Sequence, residues 1–76
     1  MKALWEVLKG IRDDVDFENE SDLMKSGILS SIDLISIIAA LEEEYDIEIP
    51  ATEINVDNFG SLESIGSMVR RLGATV

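Results

Sequence analysis

The sequence contains no cysteine and no histidine, and a single proline among its 76 residues. Without cysteine there is no disulfide framework, no thiolate metal site and no cysteine nucleophile. Without histidine, the commonest general base near neutral pH and the commonest metal ligand are both missing. Positive charge is also scarce: six Lys and Arg stand against sixteen Asp and Glu, a net charge of −10. Nucleic acid is a poor partner for such a chain, because phosphate recognition needs clustered Lys and Arg. Anionic membrane surfaces are disfavoured for the same reason. No stretch approaches the roughly 18 apolar residues of a membrane span. The start, Met1 to Glu6, lacks the continuous apolar core of a leader, so a cytoplasmic location and no membrane insertion are expected.

What is present is short and acidic. A chain of 76 residues is expected to form one domain over 1–76. It buries only about 60–65% of its unfolded surface, which leaves no room for a deep pocket between lobes. Self-contained hydrolase or metalloenzyme chemistry is therefore not expected. The acidity favours partners with basic patches, and such fields speed encounter more than they tighten the final complex. Nothing in the sequence demands an oligomer, so a monomer is expected.

The apolar periodicity predicts an all-α fold. Leu4, Leu8, Ile11 and Val15 repeat at helical spacing and define one face of a first helix. Asp13 to Gly27 is acidic and weakly periodic, and reads as a long loop with local turns, a feature often tied to function. The strongest helix runs from Ser31 to Tyr45, with Leu34, Ile38, Leu41 and Tyr45 inward and Ile35 widening the stripe. Asp33, Ser36, Glu42 and Glu43 are expected on its wet side. Ser30, with Asp33 three residues on, reads as a variant capping box. Pro50 suits the start of a short helix near Thr52 to Val56. Asn58-Phe59-Gly60 marks a turn, and Ser61 caps a last helix carrying Leu62, Ile65, Val69 and Leu72, stopped at Gly73. Trp5, Tyr45 and Phe59 are expected in the core. Ile47 and Ile49 alternate like a strand, but one short strand has no partner here.

Three features carry candidate chemistry. Asp14, Asp16, Glu18, Glu20 and Asp22 alternate, as calcium ligands do. An EF-hand loop needs Gly at its sixth position and Glu at its twelfth. Counting from Asp14 gives Asn19 and Lys25; counting from Asp16 gives Ser21 and Gly27. Neither register fits, and a solvated loop is expected. Glu42-Glu43-Glu44 oppose the dipole at a helix C-terminus, which favours recognition over stability. Ser30 and Ser31 offer two hydroxyls where one suffices as cap. A helix N-terminus tolerates a phosphate well, so the spare hydroxyl can carry a phosphoryl-linked group.

The stretch from Gly27 through Ser30-Ser31-Ile32-Asp33 and Leu41-Glu42-Glu43-Glu44-Tyr45 to Ile49-Pro50 resembles the acyl carrier protein family. That family opens its second helix on Asp-Ser-Leu, and ends it on an acidic run before an Ile-Pro. The resemblance covers almost the whole chain. Here Ser31 falls on the modified serine and Ile32 on the leucine. Ser30 stands where the family usually has Asp, and Ser36 where it often has Glu. Both changes remove negative charge from the face that partners read. Val56 to Ile65 looks more like D-alanyl carriers and the stand-alone carriers of specialised pathways.

The resemblance implies a small four-helix bundle: three main helices, one short helix and a long first loop. It implies a carrier rather than an enzyme. A phosphopantetheinyl transferase would attach 4′-phosphopantetheine from coenzyme A to Ser31, supplying the thiol that this sequence lacks. The arm would hold an acyl or aminoacyl group as a thioester, in fatty-acid or related biosynthesis. Acyl- or aminoacyl-activating enzymes and downstream synthases with basic patches are the implied partners. Ile32, Asp33, Glu42 and Glu43 are the implied docking residues. Ala39 and Ala40 are small enough to leave space for a tethered chain. The alternatives are a D-alanyl or other aminoacyl carrier, or an unmodified acidic interaction module with the same fold.

Overall fold

The computed structural model describes residues 3–75. Three α-helices, α1 (Leu4–Ile11), α2 (Ser31–Tyr45) and α3 (Leu62–Arg71), pack together, with a 3-10 helix at Ala51–Glu53. No strand occurs among the described residues, and none of their helices is long and apolar enough to cross a membrane. The all-α expectation is met. The short helix is displaced slightly: it starts directly after Pro50, which acts as its N-cap, and is over by Glu53.

The core gathers one face from each helix and several loop side chains. Leu8, Ile37, Leu41, Ile65, Met68 and Val69 are fully buried. Phe17 and Leu23 join them from the first long loop and Phe59 from the segment before α3. Ile47 and Ile49, which read as a lone strand, are buried in the connection after α2. Apolar side chains at loop positions therefore anchor segments that have no regular structure of their own.

Two expectations about the core are corrected. Trp5 is 48% exposed and Ile35 is 69% exposed. Each helix advances about 100° per residue. Trp5 lies about a quarter turn or more from the Val7–Leu8–Ile11 face that meets the core, and Ile35 lies similarly far from the Leu34–Ile37–Leu41–Tyr45 face. Ile37 takes the central inward place on α2, and Ile38 is only half-buried. Val15 is buried as expected, but from the loop, because α1 ends at Ile11.

The ends of the helices match their chemistry. Ser61 Oγ accepts from Ser64 N at 3.1 Å and caps α3. At the other end Gly73 takes φ +112°, and Ala74 N donates back to Val69 O at 2.9 Å. A residue with a Cβ is strained at that φ, which is why glycine makes the stop.

Candidate functional site

The loop delivers the chain to α2 in a fixed way. Leu23 N donates to Gly60 O at 2.8 Å, and Leu29 N donates to Leu23 O at 3.0 Å. Gly27 turns with φ +80°, and Leu29 is buried. Ser30 then takes the extended conformation of an N-cap. Its Oγ accepts from Asp33 N at 3.2 Å and donates to Asp33 Oδ2 at 3.1 Å. Asp33 Oδ2 also accepts from Ser30 N at 3.0 Å, completing the capping box.

Ser30 therefore performs the whole capping task. Ser31, the first residue of α2, is exposed, and no hydrogen bond engages its hydroxyl among the described residues. Beside it Ile32 projects into solvent, 76% exposed.

Asp33 is not on the wet side. Its side chain is 16% exposed and pairs with Arg12, whose Nη1 reaches Asp33 Oδ2 at 2.7 Å. The same Nη1 donates to Ile28 O at 3.0 Å. Arg12 Nε and Nη2 grip both oxygens of Asp14 at 2.9 and 2.8 Å. Arg12 escaped the sequence reading. An ion pair across a long irregular loop leaves no periodic trace, and the one available signal was a base at the end of α1 in a chain with few bases.

The electrostatics follow from this cluster. The Ser30 backbone N–H is the main influence holding the Asp33 carboxyl below its ordinary range, with the Ser30 hydroxyl and Arg12 helping and partial burial opposing. The Arg12 hydrogen bond is the main cause that lowers Asp14 from 3.8 to about 2. The Arg12 guanidinium is correspondingly pushed up, chiefly by Asp14. Groups whose pKa is lowered on folding stabilise the fold above their unfolded pKa and lose that effect as pH falls through the folded value. Thermal stability should thus fall between about pH 4 and pH 2. The slope of Tm against pH should be shallower in Arg12→Gln; equal slopes would show that the cluster plays no part.

The remaining docking candidates lie further along α2. Glu42 and Glu43 stand about 17 Å from Ser31 along the axis, at about 1.5 Å per residue. Glu42 is half-buried rather than wet, and its Oε2 accepts from Ile49 N at 2.9 Å, tying the following segment to the helix. Glu43 is exposed. By helical rotation it shares the solvent face with Ile32, Ser36 and Ala39. Ala39 is exposed, and Ala40 lines an open groove of about 440 Å³ between α1 and α2, bordered by Glu6, Glu43 and Glu44. The carboxylates on that groove make it a poor berth for an apolar chain. Among the described residues no group of three or more Asp or Glu is placed to hold a metal ion.

An exposed helix-start hydroxyl, spared by its neighbour from capping the helix, is chemically suited to carry a tethered group. Residues 1–72 match the family described as the phosphopantetheine attachment site. The chain is 33% identical to aminoacyl carrier protein 1 of Bradyrhizobium diazoefficiens, over 83% of this chain and 73% of that protein. It is 30% identical to a D-alanyl carrier protein of Lactobacillus delbrueckii subsp. bulgaricus, over 75% of this chain and 74% of that protein. The chain belongs to the phosphopantetheine-binding family of acyl carrier proteins, and its cofactor is covalently attached 4′-phosphopantetheine. The start of α2 fits that group: it offers an exposed hydroxyl, and the amides and dipole of a helix N-terminus favour the phosphodiester anion.

Proposed function

We propose that Ser31 is the attachment residue and that the chain is a carrier without catalytic activity of its own. The observation that carries this reading is the division of labour between adjacent serines: Ser30 closes the cap, while the exposed Ser31 hydroxyl has no hydrogen-bond partner among the described residues. In the attachment, Ser31 Oγ displaces adenosine 3′,5′-bisphosphate from coenzyme A, and the hydroxyl proton passes to a base on the transferase. Held on Ser31, the group would supply the thiol that this sequence lacks, on which an acyl or aminoacyl cargo would be carried as a thioester between enzymes. Similarity to an aminoacyl carrier protein and to a D-alanyl carrier protein favours an aminoacyl cargo over a fatty-acyl one.

The test is incubation of the purified chain with coenzyme A, Mg²⁺ and a broad-specificity phosphopantetheinyl transferase, read by intact and peptide mass. One phosphopantetheine at Ser31 is expected, and none in Ser31→Ala. No addition with several transferases would instead favour an unmodified acidic interaction module. The loaded arm, offered a panel of activating enzymes, is expected to take amino acids; loading by fatty-acyl donors alone would return the fatty-acid reading.

Docking to those enzymes falls to the solvent face of α2. Ile32 supplies apolar contact beside the arm, and Glu43 supplies an exposed charge for basic patches. Asp33 and Glu42 contribute less, since each carboxylate is already held internally. Such charges set encounter rate and leave release quick, which suits a shuttle. Glu43→Lys is expected to slow thioester transfer about two- to fivefold at low salt and to approach the unmutated rate at high salt. Equal rates at low salt would remove Glu43 from the interface.

A further inference from the structure

Resting on the assignment of Ser31, we infer that Arg12 is a positioning residue for that serine, clamping the start of α2 and offsetting part of the Asp14 and Asp33 charge near the point where the phosphodiester forms. One guanidinium nitrogen bridges Ile28 O at 3.0 Å and Asp33 Oδ2 at 2.7 Å. The backbone just before the serine pair and the side chain just after it are therefore held from a single point on a different element. The remaining guanidinium nitrogens are fixed on Asp14, so the fork is oriented before Asp33 is counted. A lysine has no such fork and cannot reproduce this set of contacts.

The charge argument is independent of the clamp. A helix start provides about half a unit of positive charge, felt within the first turn. Asp33 occupies that turn together with Ser31. Unpaired, its carboxylate would compete with a second anion attached at Ser31. Paired with Arg12, which it shares with Asp14, it caps the helix with its charge partly offset, so it opposes the phosphodiester less. Arg12 touches neither the serine hydroxyl nor any group that reacts; its effect passes through Asp33 and Ile28.

The test compares loading of the full chain, Arg12→Gln and Arg12→Gln/Asp33→Asn by one transferase with coenzyme A and Mg²⁺. Glutamine can still donate a hydrogen bond but carries no charge, and asparagine can still accept from Ser30 N. Arg12→Gln is expected to load about three- to fivefold more slowly at low salt, the scale of one partly exposed ion pair. The double variant should return to within about twofold of the unmutated chain, and the deficit should shrink near 1 M salt, where screening acts within about 3 Å. A second readout does not depend on loading rate: attachment should leave Tm unchanged or raised in the unmutated chain, and lower it in Arg12→Gln alone. Unmutated loading rates in Arg12→Gln, or a deficit that persists in the double variant and at high salt, would overturn the inference. If Arg12→Gln does not fold, Asp33→Asn alone decides: it leaves Arg12 balanced by Asp14 only, so loading should be at least as fast as in the unmutated chain, and slower loading overturns the charge argument. Failure of the unmutated chain to load would overturn the assignment of Ser31 itself.

Discussion

Ser31→Ala should abolish phosphopantetheine incorporation and leave the melting temperature nearly unchanged, whereas Ser30→Ala should destabilise the protein and still permit loading. The two serines are adjacent and identical in chemistry, so only their geometry separates them. Ser30 Oγ makes two hydrogen bonds with Asp33, one as acceptor and one as donor. Removing such a cap costs about 1 kcal/mol. For a domain of this size that is a fall of roughly 4–8 °C in Tm. Ser31 Oγ has no hydrogen bond to lose among the described residues, and alanine is at least as good a helix former as serine. Intact mass and thermal melting on the two variants read both effects. Loading that survives Ser31→Ala and disappears with Ser30→Ala would exchange the roles and refute the assignment. Loss of both properties in both variants would show that the serine pair acts as one structural unit.

The cap was legible because caps are local. Ser30 with Asp33, Ser61 with Ser64, and Gly73 after α3 each depend on neighbours within one turn, so residue type and spacing suffice to place them. The helices were legible for the same reason: a stripe at helical spacing must find a core in so short a chain. The width of each stripe was less so. Ile35 and Trp5 are apolar, yet α1 and α2 turn them away from the core, and only the packing of the helices decides where the buried arc ends. Ile32 and Ile35 lie within about one turn after the proposed attachment point, where a partner enzyme must come close. The long-range polar contacts were not legible at all. Arg12 with Asp33 and Glu42 with Ile49 join segments that nothing in the sequence brings together. Both turn acids that read as solvated into internal fasteners, and both act at an end of α2. The helix that presents Ser31 is thus held at its start by Arg12 and at its finish by the Ile47–Ile49 segment.

The long loop between α1 and α2 must be as firmly attached as the helices if it is to present Ser30 and Ile28 in register. Its attachment is apolar: Val15, Phe17, Leu23 and Leu29 are all buried, and Phe17 is 1% exposed. Phe17→Ala should therefore cost about 3–5 kcal/mol, the usual cost of emptying a buried phenylalanine site. A 76-residue domain holds only about 4–11 kcal/mol in total, so this one change takes a large share of the stability. In thermal melting that corresponds to a fall of at least about 12 °C. The size follows from where the ring sits. Had the loop been a solvated connector, as its run of alternating acids suggests, the same substitution would fall within the roughly 0.5 kcal/mol typical of surface changes. A loss that small would mean that the loop is not anchored, and the Arg12 bond to Ile28 O would then have no fixed partner. A loss of the larger size would place the loop among the structural elements of the fold, with its carboxylates outward and its apolar residues holding the start of α2 in place.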